Sequence, residues 1–256
     1  MDWSELYLFT LIFMRITGFV LFNPLLGRNS LPNLAKAGII MVFSVFVFGM
    51  SPDVPAVPGT MLEFALRLLL ELGIGFVLGF IMRLFFMIIQ VGGEVIDAQM
   101  GLTMAQVYDA SSQINMTVTA SLLNILMVLV FFEENGHYTM LRIFFSSHQV
   151  VPFGQAAFGQ AVASGVVEVF LSCMLLAIKL SLPILAAELL GELGMGILMK
   201  AIPQINAFVI NIELKVIIGL VLLFLFLVPI SEFLLGAEAE MLETMGRMLE
   251  VIAAPG

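Results

Sequence analysis

Six long apolar stretches, each at or near the length that crosses a bilayer as helix, constrain this chain before any single residue does. They cover residues 6–22, 34–49, 61–90, 118–132, 161–187 and 208–227. Crossing a hydrocarbon layer of ~30 Å takes roughly 20 apolar residues at the ~1.5 Å rise of an α-helix. Such a segment must satisfy its own backbone N–H and C=O groups, so these runs predict helices and an all-α, membrane-associated fold built of long helical hairpins. Only 11% of the 256 residues are charged and 61% are hydrophobic. That is more apolar surface than one soluble core can use, so lipid or other membrane-embedded chains must cover the rest.

Proline punctuates the gaps. Residues 23–32 and 51–58 hold five of the ten prolines, which cannot continue a helix and so divide the first three stretches into hairpins. The third stretch, ~30 residues or ~45 Å as helix, exceeds the hydrocarbon thickness and must tilt, bend or protrude. Within it Gly73, Gly75 and Gly79, the last two in G-x-x-x-G spacing, are expected to let another backbone approach, as subunit packing requires. Glu63, Arg67 and Glu71 stand at i, i+4 and i+8 and are expected to pair along one face.

Several functions are excluded at this level. The net charge is -9 and the ten basic residues are scattered singly, so no cluster exists to neutralise phosphates and nucleic acid is not an expected partner. The lone Cys173 permits no internal disulfide or multi-thiolate metal site and reads as a small core residue. His137 and His148 are too far apart for one helical turn and lack nearby cysteines, so no metal and no cofactor is expected. Asp2 and Glu5 precede the first apolar stretch and Arg15 interrupts it. A secretory signal opens with a basic region instead, so the segment is expected to remain in the mature protein.

The least ordinary stretch is residues 92–117, GGEVIDAQMGLTMAQVYDASSQINMT. It holds three acids and no base and is too polar to span lipid, yet apolar enough to pack. It is read as a re-entrant loop or broken helix facing protein or water at membrane depth, with a plain surface loop as the alternative. Met100, Met104 and Met116 suit a seal that must close and then yield, because methionine is unbranched and adaptable. Farther on, two long apolar segments flank residues 191–203 and read as a separate helical hairpin. Lys179, Glu188, Glu192, Lys200, Glu213 and Lys215 lie around that turn. Charges there are costly in lipid and should face partners, a lumen or the interface. Residues 232–250, with five acids and Arg247, read as a solvated helix.

The run Glu94-Val95-Ile96-Asp97-Ala98-Gln99-Met100-Gly101-Leu102 to Ala105, followed by Tyr108-Asp109, resembles the signature loop of the FliR/SpaR family of type III export-gate proteins. Three further segments resemble that family in order: Pro24 to Pro32, then Asn135-Gly136-His137 with Val151-Pro152-Phe153-Gly154, then Leu182-Pro183 to Pro203-Gln204-Ile205-Asn206. Ala110 departs from the family, which usually has proline there. The resemblance implies a non-enzymatic core component of the bacterial type III export gate in flagellar biosynthesis. Its implied place is the inner membrane, within the flagellar basal body, as one copy that closes a helical cone of P- and Q-type subunits. Implied partners are those subunits, other membrane proteins of the export apparatus and the exported polypeptides.

By the same resemblance residues 1–160 are P-like and carry the pore loop, while residues 161–256 form a Q-like helical hairpin with an acidic tail. Met100, Gly101, Leu102, Met104, Tyr108, Asp109 and Met116 fall in the family's pore-plugging, gating segment. Glu188 and Glu192 join Gly73, Gly75 and Gly79 as expected subunit-packing residues. Two rival functions compete on the residues alone. An intramembrane aspartyl protease would use Tyr108-Asp109 but lacks a second Asp in a suitable context, the others being Asp2, Asp53 and Asp97. A secondary transporter for a small solute or ion would use Gly-interrupted helices and buried charges, but its halves should resemble each other and show no clear repeat of hydropathy.

Overall fold

A computed structural model describes residues 2–50, 55–102, 106–109, 114–201 and 207–254. The fold is all-α. Among the described residues eight helices follow one another: α1 (Trp3–Phe22), α2 (Asn33–Met50), α3 (Met61–Met100), α4 (Val118–Glu133), α5 (Gly136–Val150), α6 (Gln160–Ala201), α7 (Ala207–Leu225) and α8 (Leu227–Ala253). One small antiparallel hairpin, β1 (Gln106–Asp109) with β2 (Ile114–Thr117), lies between α3 and α4. Among the described residues four helices are long and apolar enough to cross a membrane, Trp3–Phe22, Asn33–Met50, Met61–Met100 and the Gln160–Leu198 part of α6, or up to six spans if each of two bent helix pairs counts as one.

The helices differ from the hydropathic reading in four places, each for a physical reason. α3 does not stop at Gln90 but continues to Met100. The Gly92-Gly93 pair looks like a stop, yet it stays helical, and it marks where neighbours come closest. A Cβ on Gly93 would come within 2.5 Å of the Ala120 Cα, and one on Gly92 within 2.9 Å of Leu180. α6 runs past Ala187 and through Pro183 to Ala201. The proline removes one helical N–H, to the carbonyl of Lys179, without ending the helix. α5 escaped a search for apolar runs because it is amphipathic, with Met140 and Phe144 buried and Tyr138 exposed. α8, expected to be solvated, buries a helical stripe of Leu234, Met241, Met245, Met248 and Ile252.

The chain divides into two compact units. The first comprises Met1–Phe85, Asn135–Leu171 and Ala239–Gly256; the second comprises Phe86–Glu134 and Ser172–Glu238. In the first, α1 and the opening half of α3 cross where both helices carry glycine. A Cβ on Gly75 would overlap the Arg15 carbonyl oxygen and reach within 2.6 Å of the Phe19 nitrogen; one on Gly18 would overlap the Leu72 carbonyl oxygen. One turn on, a Cβ on Gly79 would stand 3.0 Å from the Asn23 nitrogen, while Gly73 faces the Phe158 ring. The close approach at Gly75 and Gly79 is thus to α1 of the same chain. Around it Leu11, Ile12, Phe19, Ile74, Leu78 and Ile81 are buried, with Phe19 stacked on Phe144 at 4.1 Å between centroids.

At the centre of this unit lies a buried ion pair that the sequence reading assigned otherwise. Glu71 does not continue the Glu63, Arg67 stripe. Arg67 donates to Glu63 at 2.5 Å, whereas Glu71 accepts from Arg15 Nε at 2.6 Å with both side chains almost fully buried. Each nitrogen and oxygen of the pair has a partner. Arg15 donates to Ser147 Oγ at 3.1 Å and to the Val151 carbonyl at 3.0 Å, and its guanidinium sits 4.4 Å from the Phe153 ring centroid. Glu71 also accepts from the Gly154 N–H at 2.8 Å. Gly154 has φ +78, a conformation that favours glycine. The Val151-Pro152-Phe153-Gly154 segment is therefore a socket for a charge pair.

The loop after α1 is organised in the same way, by local satisfaction. Asn23 is buried and its Oδ1 accepts from the Leu25 and Leu26 N–H groups at 2.8 and 3.0 Å. This is an Asx turn that redirects the chain at Pro24. Lys36 then reaches back to the Gly27 carbonyl at 3.0 Å.

Candidate functional site

The second unit carries the hairpin, and its construction is best followed from the neck outward. A single two-stranded hairpin is at best marginally stable in water, so this one depends on what holds its feet. Gln106 pairs with Thr117, Val107 with Met116, Tyr108 with Asn115 and Asp109 with Ile114. The feet are the end of α3 and the start of α4, and a fully buried carboxylate clamps them. Asp97 accepts from the Thr119 N–H at 2.7 Å and from the Thr119 hydroxyl at 2.5 Å. Thr119 is the second residue of α4, so Asp97 caps from outside a helix start whose N-cap, Thr117, makes no side-chain cap bond. One turn earlier Gly93 meets Ala120 backbone to backbone, which brings the two feet as close as the chain allows.

The root of the hairpin is seated on α6 and α7. Met100 ends α3 fully buried, its Cε and Cγ each 2.5 Å from where a Gly219 Cβ would stand. Glu188 Oε1 lies 2.8 Å from the same point, so residues of three helices converge on one glycine. Glu188 is buried and its Oε1 has no hydrogen-bond partner among the described residues. One turn along each helix, Glu192 of α6 forms an ion pair with Lys215 of α7. Two of the charges expected to face partners thus pair within the chain, while Lys179, Lys200 and Glu213 are exposed.

Of the residues singled out for gating, Met100 and Met116 are buried inside the chain. Gly101 is exposed, with φ +79, where α3 gives way to the hairpin, a conformation suited to glycine after a helix. Leu102 is half-buried. Tyr108 and Asp109 belong to β1, and Met104 lies outside the described residues. Asp97 was legible only as part of a motif, with no role attached. Its signal is a threonine pair, Thr117 and Thr119, straddling the start of an apolar run, where a helix start needs acceptors.

A family model described as bacterial export proteins, family 1, matches residues 6–241. The flagellar biosynthetic protein FliR of Escherichia coli K12 is 29% identical over 225 residues, covering 87% of this chain and 84% of its own. The FliR protein of Bacillus subtilis 168 is 26% identical over 247 residues, 95% of each chain. The Yop proteins translocation protein T of Yersinia pestis is 25% identical over 223 residues, 85% of each.

Proposed function

The chain belongs to the bacterial export proteins, family 1, and from that premise we propose that it is a non-enzymatic subunit of a flagellar type III protein-export gate. The observation that carries this reading is the match of residues 6–241 to that family, together with relatives of nearly equal length named for flagellar biosynthesis and for Yop translocation. The secondary-transporter reading gains no support from them. A membrane location follows from four helices long and apolar enough to cross a bilayer; the inner membrane and the flagellar basal body are the places this function requires. P- and Q-type gate subunits, further membrane proteins of the apparatus and unfolded export substrates are the proposed partners. Residues 1–160 correspond in this reading to a P-like part and 161–256 to a Q-like hairpin. Gly73, Gly75, Gly79, Glu188 and Glu192 then support subunit packing by fixing the helix positions that partners meet.

The gate itself is assigned to residues 101–117. They are too polar for lipid, are clamped at the neck by Asp97, and are rooted by Met100 and Met116 in the chain's own core. A plug of this kind needs no catalytic residue: adaptable side chains exclude water and ions, and an arriving polypeptide displaces them. Deleting residues 102–115 is expected to leave co-purification with P- and Q-type subunits intact and to raise ion conductance across a bilayer holding the complex. A correctly assembled deletion variant with the parent's conductance removes the plug. Failure of the chain to co-purify with those subunits removes the export-gate reading itself.

A further inference from the structure

We propose that the second unit holds an anionic phospholipid in a cleft headed by Lys179. The cleft has a volume of about 100 Å³ and is lined by Lys179, Leu180, Pro183 and Ile184 of α6, by Phe226, and by Pro229, Ile230 and Phe233 of α8. Its floor is apolar and buried at Leu180, Ile184 and Ile230, its sides are the half-buried rings of Phe226 and Phe233, and its rim is exposed at Lys179, Pro183 and Pro229. Among the described residues no acidic one lines it.

Two prolines line the cleft. Pro183 stands inside α6 and Pro229 in the first turn of α8. Each lacks the N–H that a continuous helix would give to the carbonyl four residues earlier, that of Lys179 and that of Leu225. The break between α7 and α8 falls at Phe226, one residue beyond the Leu225 carbonyl.

Lys179 is the group that selects the ligand. It is exposed and forms no ion pair among the described residues. Leu175 and Leu182, which share its helix face, are exposed as well. A lone ammonium on an apolar, outward face is unfavourable in a bilayer unless an anion meets it. An anionic phospholipid supplies both complements in one molecule, a phosphate for the ammonium and an acyl chain for the apolar floor. A carboxylate from a neighbouring chain would answer the charge and leave the cleft empty.

The test uses the full chain purified in mild detergent, titrated in native mass spectrometry with dioleoyl phosphatidylglycerol and with dioleoyl phosphatidylcholine. With identical acyl chains the two lipids differ in net headgroup charge. The parent is expected to prefer the anionic lipid about fivefold, the effect of one cation near an anionic headgroup. Lys179→Gln should erase the preference, Lys179→Arg should keep it, and glycerol 3-phosphate, a head without a tail, should not displace bound phosphatidylglycerol. No preference in the parent, or a preference that survives in Lys179→Gln, overturns the site. Displacement by glycerol 3-phosphate overturns it in favour of a bare anion site. A Lys179→Gln variant with unchanged lipid preference but poorer co-purification with partner chains assigns the cation to a protein carboxylate instead.

Discussion

Replacing one member of the Arg15–Glu71 pair is expected to cost far more than its share of replacing both. Both side chains are almost fully buried, so Glu71→Leu strands a guanidinium and Arg15→Met strands a carboxylate, each a loss of roughly 3–5 kcal/mol. The double variant strands no charge. It forfeits the bonds to Ser147, to the Val151 carbonyl and from the Gly154 N–H, about 1 kcal/mol apiece on the net scale, or ~3 kcal/mol. At roughly 2–4 °C per kcal/mol for a domain of this order, each single variant should melt about 6–20 °C below the parent and the double about 6–12 °C below, where simple addition gives about 12–40 °C. Thermal unfolding followed by circular dichroism in one detergent reads all four proteins. Single variants that melt with the parent refute the reasoning, and so does a double variant that loses the full sum of the singles.

Two further outcomes follow from packing. Gly75→Ala should destabilise the chain strongly, since its Cβ has backbone and not side chain in its way, whereas Gly38→Ala, with nothing within 4 Å, should be neutral or stabilise by roughly 0.5–1 kcal/mol; equal melting points for the two contradict the glycine crossing. Asp97→Ala removes two charge-assisted bonds at the hairpin neck, worth roughly 1.5–3 kcal/mol each, so hydrogen exchange at residues 106–109 and 114–117 should quicken at least about tenfold while exchange in α1 stays unchanged, and unaltered hairpin protection would show that Asp97 does not hold the neck.

The apolar helices were legible because bilayer length and backbone satisfaction leave few alternatives to a run such as residues 6–22. What sequence reading could not supply was the partner of each polar residue inside those runs. Glu71 sits at i+4 from Arg67, and the local rule pairs them; the structure pairs Glu71 with Arg15, 56 positions away, because both are buried, where a charge left alone is costly, while Arg67 pairs with Glu63. Gly92 and Gly93 show the same limit from the other side. Local propensity reads a helix stop, whereas the structure uses the missing side chains to admit Ala120 and Leu180 against an unbroken helix. The hairpin was legible as a polar interruption. Its strands were not, since eight short residues gain their order from a clamp whose two halves, Asp97 and Thr119, lie on either side of it.

The charges on α6 and α7 bear on how such a chain meets its neighbours. Glu192 was expected to face partners, yet it pairs with Lys215 of the same chain while both stay partly exposed. If that pairing governs its effect, the sign of each charge matters only relative to the other. Glu192→Lys sets two cations side by side and should lower the yield of folded chain, as should Lys215→Glu with two acids. The charge-swapped double variant restores the attraction and should recover most of the parent's yield, even though every partner would then see reversed charge at both positions. Screened pairs of this exposure contribute only about 0–1 kcal/mol in water, and more where lipid lowers the dielectric, so yield and complex formation are best compared in native membranes. A swapped variant as impaired as the two singles combined would mean that Glu192 is read by a neighbouring chain. The apolar faces exposed on α2 and α6, at Met41, Val45, Leu171 and Leu182, would then share the work of assembly with charge.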